Sequence, residues 1–73
     1  MKLSARNVLK GKIVSVAKGQ TTAHVRLDIG GSVVTASITN QAVDELALKE
    51  GAQAYAVIKA SDVMVGKDRA ARS

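Results

Sequence analysis

The 73-residue chain has no cysteine, no proline, no tryptophan and no phenylalanine, and its only aromatic side chain is Tyr55. Each absence excludes something. Without cysteine there is neither a disulfide nor a thiol nucleophile, and the single histidine, His24, cannot by itself build a zinc site. Without aromatic residues set among the basic ones there are no platforms on which single-stranded nucleic acid could stack its bases. No run approaches the roughly 20 apolar residues of a membrane span, and Met1 to Lys10 lacks the apolar centre of a signal peptide, so a cytoplasmic location is expected. A domain this small hides only about 60% of the surface that its unfolded chain exposes. Its apolar residues are mostly Val, Ala, Ile and Leu, which bury little area each. With disulfides and a structural metal excluded, oligomerisation is the stabiliser that remains.

What the chain does have is positive charge. The net charge is +5, and the segment "GKDRAARS" (66–73) accounts for +2 of it through Lys67, Arg69 and Arg72 against Asp68. Residues 66–73 therefore read as a basic, flexible tail on a modestly basic body. An anionic partner is implied. The six carboxylates are scattered and His24 lies on the polar side of an alternating run, so acid-base, nucleophilic or metal catalysis has little to work with and no enzyme is expected.

Period two organises the chain. In "TAHVRLDIGG" Ala23, Val25, Leu27 and Ile29 alternate with His24, Arg26 and Asp28, and "SVVTASIT" sets Val34, Ala36 and Ile38 against Thr35, Ser37 and Thr39. Gly30-Gly31 between them predicts a tight antiparallel hairpin rather than a phosphate cradle, because no helix follows it. "VLKGKIVSVAKGQ" reads as a first strand with a bulge or bend expected at Gly11, closing at a Lys18-Gly19-Gln20 turn. "TNQAVDELALKEG" changes to helical spacing, with Thr39 or Asn40 as cap, Ala42, Val43, Leu46 and Ala47 as the apolar stripe and Gly51 as the stop. "AQAYAVIKAS" and "DVMVG" read as fourth and fifth strands. The expected class is all-β with one short helix, arranged as an OB-like five-stranded barrel, with a split SH3-like barrel as the other arrangement.

Two polar clusters stand at the ends of apolar runs: Ser4, Arg6 and Asn7 in "LSARNVLKG", and Lys59 with Ser61 in "VIKASDVM". If the fold brings them together, two cations, two hydroxyls and the backbone amides near Ala5 and Ala60 would suit a small tetrahedral dianion. The pattern alone fits equally a pair of solvated strand-end charges with turn-forming serines.

The full series of segments is more specific. "SARNVLKGKIVSVAKGQTTAHVRLDI" followed by "VVTASITNQAVDELALKEGAQAYAVIKASDVMV" closely resembles the molbindin (Mop) family of molybdate-binding proteins over about Leu3 to Val65. Val8 stands where the family usually has Gln in "SARNQLKG". The resemblance implies one Mop domain over residues 1–65, an OB-like five-stranded barrel, and a homo-oligomer, a hexamer built as a trimer of dimers. It also implies molybdate or tungstate held at subunit interfaces, with no organic cofactor. "SARN" transfers Ser4, Ala5 and Arg6 as ligand contacts, "VIKAS" transfers Lys59, Ala60 and Ser61, and "SITNQ" transfers Thr39. A second class of site is placed, as a guess, at the loop Lys18 to Ala23. The function expected is storage or homeostasis of the oxyanion. An OB-like nucleic-acid-binding module is the alternative, and an assembly module from a larger regulator a third reading.

Overall fold

The computed structural model describes residues 7–68, and the elements follow the order β1 (Asn7–Lys18), β2 (Thr22–Asp28), β3 (Val33–Thr39), α1 (Asn40–Glu45), β4 (Gln53–Ile58) and a 3-10 turn over Ala60–Asp62. The four strands form one antiparallel sheet in the order β3-β2-β1-β4. Alternation dictates its two faces. In β2, Ala23, Val25 and Leu27 are buried while Thr22, His24, Arg26 and Asp28 are exposed. In β3, Val34, Ala36 and Ile38 are half-buried and the residues between them exposed. Ile13, Ala23, Val25, Leu27 and Val43 make the core, with Val16, Ile29, Ile38, Leu48, Ala52 and Ala54 packed against it. Val43 of α1 thereby covers one end of the inner sheet face.

The β2–β3 hairpin forms as expected. Gly30 and Gly31 adopt φ values of +103° and +102°, which only glycine tolerates without strain. Asp28 Oδ1 accepts from both of their amides, at 2.9 and 3.2 Å. These bonds, Gly30 first, stabilise the carboxylate and hold the Asp28 pKa below its ordinary value.

Strand β1 departs from the expectation in one respect. The bulge lies at Val14, between the pairs Ile13↔Leu27 and Ser15↔Arg26, and not at Gly11, which pairs regularly with Ala54. The extra residue shifts the phase of the strand. Ile13 faces inward before it and Val16 after it, and Val14 itself is left exposed. Gly11 is required for a different reason: a Cβ there would sit 2.8 Å from the Asp28 carbonyl oxygen. Residues 7 to 11 pair only with β4, and β2 joins β1 from Lys12 onward. The first half of β1 and β4 therefore make a two-stranded ribbon that runs past the other strands.

The helix is shorter than expected. Thr39 is its cap, its Oγ1 accepting from the Ala42 amide at 3.0 Å, but the stop is Ala47 and not Gly51. Ala47 takes φ +52°, its amide donates to the Asp44 carbonyl and the Leu48 amide to the Val43 carbonyl, which together close a Schellman motif. Leu46, assigned to the apolar stripe, is 66% exposed as a result. Gly51, at φ +88°, serves the following turn, where its amide donates to the Ile13 carbonyl at 2.8 Å.

The fifth strand expected over "DVMVG" does not form among the described residues. After the 3-10 turn, Val63 to Asp68 lie outside the sheet, with Met64 and Val65 93% and 94% exposed. What is observed is a four-stranded antiparallel sheet with one short helix, a half-barrel of OB-like type.

Candidate functional site

The last rung of the ribbon pairs Asn7 with Ile58, and the Asn7 side-chain amide donates to the Ile58 carbonyl at 3.2 Å. The start of β1 and the end of β4 are thus tied together at one end of the sheet. Lys59 follows Ile58 in extended conformation, and the chain then tightens: the Asp62 amide donates to the Lys59 carbonyl at 2.9 Å and the Val63 amide to the Ala60 carbonyl at 3.3 Å. A turn closed in this way uses its later amides, so those of Ala60 and Ser61 stand at its open start. Lys59, Ala60 and Ser61 are all exposed. The only ion pair among the described residues joins Lys18 and Asp44, which leaves the Lys59 ammonium outside any such pair there. Ser4, Ala5 and Arg6 lie outside the described residues, as do Arg69 and Arg72 of the expected tail.

Thr39 is elsewhere. It pairs with Thr22 at the far end of β3, beside the Lys18↔Ala23 rung that ends β1. Eleven residue steps along β1 separate that end from Asn7, on the order of 35 Å for an extended strand. One chain therefore does not bring Thr39 to Lys59 and Ser61. Thr39 instead neighbours the loop of Lys18 to Ala23. That loop is latched to α1 by three contacts. The Asn40 amide donates to the Thr21 carbonyl at 2.8 Å, Asn40 Nδ2 to the Gly19 carbonyl at 2.9 Å, and Lys18 Nζ meets Asp44 Oδ1 at 2.6 Å. Asn40 and Asp44 were not picked out from the sequence as partners of the loop. Asn40 was visible only as an alternative cap, and nothing in its spacing from Gly19 signals the latch.

Two open concavities lie away from Lys59. One, of about 580 Å³, is lined by Val16, Val43 and Leu48 with Lys18 and Asp44; the other, of about 470 Å³, by Lys10, Lys12, Asp28 and Gln53 among others. Neither contains Lys59 or Ser61. Among the described residues no group of three or more His, Asp or Glu is placed to hold a metal ion, and His24 stands exposed between Ala17 and Ser37 on the outer sheet face. No described helix is long and apolar enough to cross a membrane.

The model of the TOBE domain family matches residues 3–65. A probable molybdenum-pterin-binding protein of Haemophilus influenzae is 54% identical over 67 residues, which cover 90% of this chain and 97% of the relative. Among solved structures, MopII from Clostridium pasteurianum in an apo form superposes with a TM-score of 0.84 at 49% identity, over 90% of this chain and all of the other. ModG, described as a cytoplasmic molybdate-binding protein and solved with molybdate bound, superposes with a TM-score of 0.83 at 46% identity, over 88% of this chain and 46% of that one. The Haemophilus influenzae relative and ModG are binding proteins by name.

Proposed function

The chain belongs to the TOBE domain family, and on that premise we propose that it is an intracellular molybdate- and tungstate-binding protein that stores or buffers the oxyanion in the cytoplasm. The observation that carries this reading is the Asn7–Ile58 rung. In this reading Arg6, which precedes Asn7 in the chain, and Lys59, which follows Ile58, supply two cations to the anion, and the hydroxyls of Ser4 and Ser61 with the amides of Ala5 and Ala60 supply neutral donors. Molybdate, a tetrahedral dianion, can accept from every one of these groups, whereas the proton that phosphate carries near neutral pH would have to be accepted by a serine hydroxyl oxygen, which leaves a poorer match between site and anion. Sulfate, also a bare dianion, is rejected only by its smaller radius against a rigid site.

Thr39 supports a site shared between subunits. Because it stands at the opposite end of β1, it contacts the same anion as Lys59 only when contributed by a second chain. We infer a homo-oligomer on this ground, with a hexamer built as a trimer of dimers as the form its relatives' family suggests. Residues 1–65 act as the Mop unit in this reading and 66–73 as a basic tail outside the site.

Isothermal calorimetry with molybdate tests the assignment. Arg6→Ala removes a charge-assisted contact and is expected to cost on the order of 1.5–3 kcal/mol per site, roughly ten- to a hundredfold in affinity. Arg6→Lys should restore only part, since an ammonium lacks the planar fork. Ser61→Ala should cost about 0.5–1.5 kcal/mol, as one neutral hydrogen bond. Arg72→Ala should leave binding unchanged. Equal losses from Arg72→Ala and Arg6→Ala, with oligomer size intact, would mean that diffuse charge holds the anion and that this site is wrong.

A further inference from the structure

Strand β4 ends at Ile58, and its last carbonyl is gripped by a side chain. Asn7 is half-buried, and its Nδ2 donates to the Ile58 carbonyl oxygen at 3.2 Å across 51 residues of sequence. Asparagine is a poor strand former, so its place at the start of β1 is explained by this bond rather than by propensity. The Ile58 carbonyl belongs to the planar peptide unit whose nitrogen is that of Lys59. The next peptide unit is held as well, because the Lys59 carbonyl accepts from the Asp62 amide at 2.9 Å. Lys59 Cα therefore sits between two anchored planes, with φ −64° and ψ 140° set from outside the residue. Its side chain does not cap the 3-10 turn over Ala60–Asp62, so that turn takes its direction from the Ile58–Lys59 peptide.

We propose that Asn7 is a positioning residue of the oxyanion site: its bond to the Ile58 carbonyl fixes how Lys59, Ala60 and Ser61 leave the sheet, and through them sets the selectivity for molybdate over sulfate. This role rests on the anion site proposed above and adds to it a residue that does not touch the anion. Molybdate and sulfate are both tetrahedral dianions with only acceptor oxygens, so charge and donor count cannot separate them. Size remains, and size is read only by donors whose spacing resists contraction. A loose turn closes on the smaller ion as readily as on the larger one. A turn already ordered in the empty protein also loses less conformational entropy when the anion arrives. An amide suits this task, because it donates to a neutral carbonyl without bringing a charge that would itself hold or repel a dianion.

Two substitutions test it in the full chain. Asn7→Leu keeps the shape of the side chain and removes the donor, and Asn7→Ser carries a side chain too short to reach the Ile58 carbonyl. Each variant is checked for parental size by sedimentation, then titrated by calorimetry with sodium molybdate, and sulfate binding is read by competition against molybdate. Molybdate affinity should fall about three- to tenfold, because a backbone unit must now be ordered on binding. Sulfate affinity should change by less than about twofold, so the selectivity ratio falls with the molybdate affinity. Without ligand, the Asp62 and Val63 amides, whose bonds close the turn, should exchange with solvent about three- to tenfold faster in both variants. Asp28→Asn, which weakens the β2–β3 hairpin, is the control for general stability: it should lower Tm and leave the ratio unchanged. A parental ratio in both Asn7 variants, or unchanged exchange at Asp62 and Val63, overturns this role. An equal fall of the ratio in Asp28→Asn, or loss of folding in both Asn7 variants, assigns Asn7 to stability alone and overturns it too. An unsubstituted chain that binds neither anion overturns the proposed site itself, a failure read before any variant is made.

Discussion

Replacing Gly11 with alanine isolates one close approach. The added Cβ would lie 2.8 Å from the Asp28 carbonyl oxygen and 3.1 Å from Ile29 Cγ2. A carbon and a carbonyl oxygen ordinarily come no nearer than roughly 3.3 Å, so the strands must part by about 0.5 Å. The obstacle is backbone held in two ladders, since Asp28 pairs with Lys12 on one side and Val33 on the other. Overpacking of this kind costs about 1–3 kcal/mol. The alanine also restricts the unfolded chain, which offsets about 0.4–1 kcal/mol. The net loss is about 0.5–2 kcal/mol per subunit, or roughly 3–15 °C in Tm for a chain of this size. Thermal melts followed by circular dichroism, at one fixed subunit concentration because assembly contributes to Tm, read the effect. Ile29→Ala in the same background removes the 3.1 Å contact and leaves the carbonyl, so it should recover only a minor part. A Gly11→Ala protein as stable as the parent would refute the close approach, and full recovery by Ile29→Ala would show that the side chain, not the Asp28 carbonyl, is the obstacle.

Ala47→Gly should stabilise the protein by about 0.5–1 kcal/mol per subunit, the left-handed strain relieved less the entropy that glycine restores to the unfolded chain, and chemical denaturation with an unchanged slope checks it. The Asp28 carboxylate, its pKa lowered by the Gly30 and then the Gly31 amides, contributes stability that is complete above its ordinary value of 3.8 and is lost as pH falls through the lower folded value. Asp28→Asn keeps an acceptor and removes the charge. Its Tm should lie below the parent's at pH 5 to 7 and meet it in strong acid, and a constant gap at every pH would contradict the assignment.

The strands whose alternation is unbroken were legible and the irregular ones were not. β2 and β3 keep one phase throughout, and their hairpin follows from Asp28, Gly30 and Gly31. β1 announces an irregularity, but glycine is the conspicuous residue while the phase change occurs at Val14, three residues on. The helix end shows the same limit. Gly51 looks like a stop, yet the Schellman bonds from Ala47 and Leu48 close the helix four residues earlier, at an alanine whose left-handed backbone no propensity announces. "DVMVG" alternates as a strand should. Period two reports the conformation a segment favours and says nothing about whether a neighbouring strand is there to pair with it.

The candidate site was legible as two clusters and not as a geometry. That Asn7 meets Ile58 follows from β1 being central and pairing β4 with its first half, a topological fact absent from local pattern. That Thr39 falls at the opposite end has the same origin, and it changes what the residue set means. A single exposed lysine in water holds an anion weakly, because solvent screens the pair and competes for both partners. Placing Lys59 against a second chain removes that solvent, and the same contact would cover Val8, Val57 and Tyr55 beside it. Anion affinity and assembly are then linked quantities: whatever the oxyanion gains from a shared site it returns as stability of the oligomer, and a substitution that loosens the ribbon weakens binding without touching a ligand-contacting residue.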